Sequence, residues 1–184
     1  MQHFVSGIDL NKIPQDYKSI ILGAGCFWGV ERRFWEDPNI YLTSVGYSGG
    51  HIDNPTYKQV CYEDTGHVEV VKVIFDPQLI SLEEILKIFW ECHDPSQGDR
   101  QGNDRGTQYR SVIFCENEKD LNLANQSQKK YQEVLSEAGF GEITTEIKIF
   151  NTYFLAEYYH QQYLAKNPNG YCGLGGTGCA FPNN

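Results

Sequence analysis

Methionine is nearly absent: Met1 is the single one among 184 residues. A chain without internal methionine has no internal thioether to oxidise. Bases are the minority, 15 against 24 acids for a net charge of −9. That argues against a broad basic face, and no nucleic-acid partner is expected. No stretch approaches the roughly 18 apolar residues of a membrane helix. The opening MQHFVSGIDLNK has no basic region followed by an apolar one. Neither a membrane partner nor a secretory leader is therefore expected. Six cysteines in a chain this long are too sparse for a small disulfide scaffold. A reducing, cytoplasmic setting follows as the expectation. The phosphate loop GxxxxGKS/T does not occur, and no cofactor is expected.

What is present fits one globular domain over residues 1–184, with 40% hydrophobic and 21% charged residues. Residues 1–17 read as an N-terminal extension. KSIILGAG (18–25) reads as a buried strand ending in glycines, followed by a helix over 27–37 that stops before Pro38. Residues 40–46 read as a strand and GYSGG (46–50) as a break. HVEVVKVIF (67–75) is the clearest strand. Ser81 and Glu84 form a capping box for a helix over 82–92. A polar loop (94–108) leads to a strand over 109–115, and Asn117 opens a helix to about residue 138. A strand over 145–150 and a helix over 155–165 precede a glycine-rich tail. The order from 18 to 115 is βαββαβ, so the expected class is α+β: a two-layer α/β sandwich with a ferredoxin-like, split-βαβ core.

Three features carry chemistry. Cys26, in GCFWG, sits at a strand-to-helix turn. Free N–H groups and the helix dipole there lower a thiol's pKa and make it a nucleophile. The bland alternative is a buried thiol between core aromatics. Glu69 shares a strand face with His67, Val71, Val73 and Phe75, while Lys72 lies on the other. Burial would raise its pKa and suit it to general-acid work, unless the strand end opens to solvent. The tail NGYCGLGGTGC places Cys172 and Cys179 among glycines, and residues 167–184 read as a mobile arm able to exchange disulfides. Its alternatives are a frayed terminus or a metal pair completed by His160. Cys61, Cys92 and Cys115 read as core.

GCFWG (25–29), GYSGG (46–50), TGHVE (65–69), HDP (93–95), QGNDRGTQYRS (101–111) and YHQQYLAKNPNGYCG (159–173) together resemble the A-type peptide methionine sulfoxide reductases. The match spans about residues 20 to 180. The resemblance implies a thiol reductase for the S epimer of methionine sulfoxide, free or in oxidised proteins. It makes Cys26 the nucleophile, Glu69 the acid, and Tyr57 and Tyr109 hydroxyl donors to the sulfoxide oxygen. It makes Phe27 and Trp28 the methyl pocket, Asp104 a polar anchor, Cys172 the resolving thiol and Cys179 a second recycling thiol. Thioredoxin is the implied reductant, and a monomer is expected. Glu63 is a departure, because the family often has Gly there. Two other readings compete. In one, Cys-Phe-Trp at a helix start serves a thiol hydrolase with His160 as base. In the other, the cysteines serve a metal-binding module.

Overall fold

The computed structural model describes residues 1–150 and 152–182. Strand β1 (Lys18–Ala24) alternates with the period of two that a strand imposes. Ile20, Leu22 and Ala24 join the larger apolar cluster, and Ile21 joins a smaller one on the opposite face. Helix α1 (Phe27–Trp35) follows at once and buries Phe27, Val30 and Phe34. Strand β2 (Ile40–Ser48) and strand β3 (Val68–Phe75) bracket a short helix, α2 (Tyr57–Tyr62). Helix α3 (Leu82–Cys92) starts on the expected Ser81–Glu84 capping box. A two-residue hairpin, β4 (Arg100–Gln101) with β5 (Asp104–Arg105), and a 3-10 turn at Thr107–Tyr109 occupy the polar loop. Strand β6 (Ser111–Cys115), helix α4 (Glu118–Glu137), strand β7 (Glu146–Ile149), strand β8 (Tyr153–Leu155) and helix α5 (Tyr163–Lys166) complete the chain. The side chain of Asn117 caps α4 by accepting from the Asp120 N–H.

The main sheet runs β7-β6-β1-β3-β2-β8. Its central strands β6, β1, β3 and β2 are each antiparallel to their neighbours, the order and sense of a ferredoxin-like core. Parallel β7 and antiparallel β8 extend it at either edge. Helices α1, α3 and α4 cover one face, where Phe34, Phe89, Trp90, Tyr131 and Leu135 are fully enclosed. The functional end of this sandwich is the one where β1 ends, β3 begins and α1 starts.

Three local expectations change. GYSGG does not break the chain at Gly46: β2 continues to Ser48 because Gly46 pairs with both Val70 and Leu155. The break comes at Gly49, which holds a positive φ of 85°. The helix expected over 155–165 is mostly absent. Residues 153–155 instead pair with β2, and the Gln161 side chain bonds the Val45 N–H and carbonyl in the manner of a further strand residue. Gln162 adopts the left-handed conformation (φ 48°), so only 163–166 coil into a helix. The short helix α2, which carries Tyr57, has no sequence-level expectation. It is held by a Thr56–Gln59 capping box and closes at Glu63, whose φ of −120° any residue adopts. No glycine is needed there.

Gly46 is also a point of close approach. A Cβ at this position would run into the Phe154 carbonyl oxygen and the Tyr153 ring. Gly46→Ala is expected to lose about 1–3 kcal/mol through overpacking against backbone. The urea midpoint should fall while the m-value stays constant. An unchanged midpoint would mean that β8 yields freely.

Candidate active site

Cys26 is the N-cap of α1, half-buried, with no side chain capping the helix. The residue before it must be glycine. Gly25 has a φ of 99°, and a Cβ there would stand 2.7 Å from the Gln101 Cβ. Gln101 is itself pinned by two bonds to the backbone of Asp94, at 3.1 and 2.8 Å. The β4–β5 hairpin is thus locked against the start of α1.

Glu69, 1% exposed, lies on the helix-covered face of β3. Its Oε2 accepts the Phe27 N–H at 3.0 Å, the first free donor of α1. Burial pushes the carboxyl up to about 8, against the pull of that bond, and the nearby Asp104 adds to the rise. The sequence expectation of a buried, neutral acid is met in its environment.

The thiol of Cys26 behaves differently from the helix-start argument. The N–H groups of Trp28 and Gly29 do pull its pKa down, but burial and the Glu69 carboxylate outweigh them, and the thiol is raised well above its usual range. A helix terminus contributes about 0.3–1 kcal/mol at an exposed position, less than the cost of enclosing a thiolate beside a carboxylate. The free protein therefore holds a thiol.

Tyr57 and Tyr109 approach from two directions. Tyr57 opens α2, and its N–H donates to Glu157 Oε1 at 2.9 Å. Tyr109 ends the 3-10 turn, which Arg110 ties to Glu146, Thr107 and Gly66. Burial and the charge of Glu69 raise both phenols, so each stays a proton donor. Glu69, Cys26 and Asp104 all act on Tyr109, which places the acid, the thiol, the phenol and the anchor within electrostatic reach of one another. Asp104 is half-buried and accepts from the Tyr171 hydroxyl at 3.3 Å.

Phe27 is buried, and its ring lies 6.3 Å from the stacked ring of Tyr57 and 6.5 Å from that of Trp28. Trp28 stacks on Tyr163 at 3.9 Å and donates its Nε1–H to His160 Nδ1 at 3.1 Å. Cys172 is exposed in the C-terminal segment, but its Sγ sits only 3.0 Å from where a Gly29 Cβ would stand, one turn into α1 from Cys26. Cys179 lies farther along, its carbonyl accepting from the Tyr131 hydroxyl at 3.1 Å. The structure thus brings together Cys26, Glu69, Tyr57, Tyr109, Asp104, Phe27, Trp28 and Cys172, and sets Cys179 apart against α4.

Sequence reasoning missed Glu157, which accepts from the Tyr47 hydroxyl (2.8 Å) as well as from Tyr57. It also missed Glu31, a fully buried carboxylate that accepts from Thr43 and twice from Gln162. Glu31 follows Val30 on the inner face of α1, and that placement was the available signal. His160 packs among the rings of Phe27, Trp28 and Tyr57. Burial lowers it to about 4, and its Nδ1 is taken by Trp28. Among the described residues no three His, Cys, Asp or Glu converge as metal ligands. The stretch GLGGTG (173–178) has the spacing of a dinucleotide turn, but it follows no strand and opens no helix. A cavity of about 680 Å³ lined by Lys18, Phe75 and Lys119 lies at the far end of β1 and β3 and holds none of the site residues.

The family model of peptide methionine sulfoxide reductase matches residues 18–177. The chain belongs to this family. It is 55% identical over 182 residues to the mitochondrial peptide methionine sulfoxide reductase of Homo sapiens, covering 98% of this chain and 77% of that one. To the MsrA of Vibrio vulnificus it is 57% identical over 181 residues, covering 98% and 87%. Among solved structures it is similar to methionine sulfoxide reductase A of Corynebacterium diphtheriae, with TM-score 0.88, 41% identity, and coverage of 98% and 89%. It is also similar to Mxr1 of Saccharomyces cerevisiae in complex with Trx2, with TM-score 0.57, 25% identity, and coverage of 84% and 91%. The chain is therefore an oxidoreductase of the A-type reductases.

The coupling between Cys26 and Glu69 is directly testable. Above pH 8 the ionised Glu69 holds the thiol up, so removing that charge should let the thiolate form sooner. Glu69→Gln should be alkylated by iodoacetamide at Cys26 faster than wild type at pH 9, with a smaller difference at pH 6, where Glu69 is neutral. Peptide mapping of the labelled Cys26 provides the readout. Equal rates at pH 9 would show that the two groups do not sense each other.

Proposed function

We propose that the protein reduces the S epimer of methionine sulfoxide, free or in oxidised proteins, and is regenerated by thioredoxin. The observation that carries this reading is the pairing of a sulfur nucleophile at a helix start with a buried, protonated carboxyl bonded to the same helix start. The sulfoxide sulfur would face Cys26, with its methyl against Phe27 and Trp28 and its polar backbone toward Asp104. Glu69 gives its proton to the sulfoxide oxygen, assisted by the Tyr57 and Tyr109 hydroxyls, which makes the sulfur electrophilic. The carboxylate so formed can take up the proton of Cys26. Net, methionine sulfoxide and the Cys26 thiol become methionine and a Cys26 sulfenic acid. Cys172 then condenses with the sulfenic acid, forming the Cys26–Cys172 disulfide and releasing water. Exchange onto Cys179 presents a disulfide to the thioredoxin dithiol.

The Mxr1–Trx2 complex supports thioredoxin as the partner. Among the described residues no helix is long and apolar enough to cross a membrane. We place the protein as a monomer in the cytoplasm, with residues 1–184 forming one catalytic domain and 167–184 moving during disulfide exchange.

Cys26→Ser should show no methionine formation with any reductant. Cys172→Ser should release about one methionine per chain and then stop with thioredoxin, leaving the sulfenic acid. Steady turnover by either variant contradicts its assigned role. Glu69→Gln should slow single-turnover methionine release by about 10²- to 10⁴-fold, the usual contribution of a general acid. Because the acid form is the active one, the Glu69-dependent rate should decline as pH rises through about 8. A Glu69→Gln rate equal to wild type would move the proton source to a tyrosine or solvent.

A further inference from the structure

Cys92, the last residue of α3, reads from the sequence as a core thiol, yet it faces the C-terminal segment. A cavity of about 230 Å³ opens between α1 and that segment, and both Cys92 and Cys172 line it, along with Gly29 and Arg33 of α1. The covering chain is glycine. Gly176 lies so close that an added Cβ would meet the Glu91 carbonyl oxygen, with the Cys92 carbonyl carbon at 3.7 Å. The second tail thiol lies by the same helix end. Tyr131 is acted on by Cys179, Glu91 and Cys92 together. The Phe181 N–H donates to Glu91 Oε1 at 2.8 Å. Cys172 on the C-terminal segment thus shares a cavity with a thiol on a fixed helix.

We infer that Cys92 is a redox partner of Cys172, receiving the disulfide from Cys26 by thiol–disulfide exchange. This rests on the reductase reading above. Starting from the Cys26–Cys172 disulfide, the Cys92 thiolate attacks the Cys172 sulfur. A Cys92–Cys172 bond forms, the Cys26–Cys172 bond breaks, and Cys26 leaves as a thiolate that takes the proton Cys92 released. No electrons enter or leave in this step. Cys26 is then free for a second sulfoxide, and the Cys92–Cys172 disulfide is the one that Cys179 later takes over for the thioredoxin dithiol. In the reduced resting state burial holds the Cys92 thiol at about 12, and Arg33 is the neighbour that pulls it down. Its Sγ–H donates to the Phe89 carbonyl at 3.2 Å. Arg33 lines the same cavity and is the cation that favours the Cys92 thiolate the attack requires.

The test counts methionine without any reductant. Full-length Cys179→Ser is mixed with excess methionine sulfoxide, thiols are blocked, and disulfides are mapped. Relay through Cys92 predicts about two methionines per chain, one from disulfide formation and one from the freed Cys26 ending as sulfenic acid. The mapped bond should be Cys92–Cys172. The double variants Cys92→Ser/Cys179→Ser and Cys92→Ala/Cys179→Ser should both stop at about one, with Cys26–Cys172 mapped. One methionine per chain from Cys179→Ser, with Cys26–Cys172 as its bond, overturns the proposal. Wild type forming no methionine at all overturns the reductase reading, and the proposal with it.

Discussion

The hydrogen bond from the Phe27 N–H to Glu69 Oε2 holds the site in one piece. It joins the first donor of α1 to a carboxyl on the start of β3, and Cys26 is the N-cap residue immediately before that donor. The bond satisfies a helix-end donor that burial would otherwise leave unpaired. It also fixes which face of Glu69 is presented. Much of the surrounding chain accommodates it. Gly25 takes a positive φ so that Gln101 can pass, and Gly23 leaves room for the Glu69 carbonyl, 3.1 Å from where a Cβ would stand.

The electrostatic character of the site follows from the same burial. Cys26, Glu69, Tyr57 and Tyr109 are all shifted toward their protonated forms, with desolvation the leading cause in each case. Two acids, Asp104 and Glu69, push in the same direction. A site of this kind keeps its protons until a substrate oxygen arrives to accept one. It differs from a thiolate site built on a cation, and the difference lies in Glu69 rather than in the helix start.

A second layer of carboxylates holds the walls. Glu157 bonds Tyr47 and Tyr57, and Glu31 bonds Thr43 and both donors of Gln162. Thr43 in turn reaches His3, and Gln162 accepts from the Phe4 N–H, so the N-terminal extension is tied into the same network. Through Gln162 this network fixes the turn that carries His160 and Tyr163, the two residues against which Trp28 is held. The glycines of the C-terminal segment let that chain lie directly on α1 and α3, which brings Cys172 over Gly29.

The βαββαβ order, the Ser81 and Asn117 caps and the burial of Glu69 were legible in the sequence, because each depends on local pattern: strand alternation, helical spacing and a capping side chain. The motifs holding Cys26, Asp104, Tyr109 and Cys172 were legible as a family resemblance, and Tyr57 entered only through that resemblance. Three features were not. Residues 153–162 carry a helical spacing but are captured by the free edge of β2, because backbone pairing there satisfies groups that an isolated helix would leave to solvent. The protonation of Cys26 depends on how deeply β3 and the hairpin enclose it, and no count along the chain reports that enclosure. The cavity that Cys92 and Cys172 both line joins residues far apart in sequence. The local chain determined which chemistry is available, and the packing of β3, α1, α3 and the C-terminal segment decided which groups meet and in which protonation state, because burial and long-range contact are properties of the assembled fold.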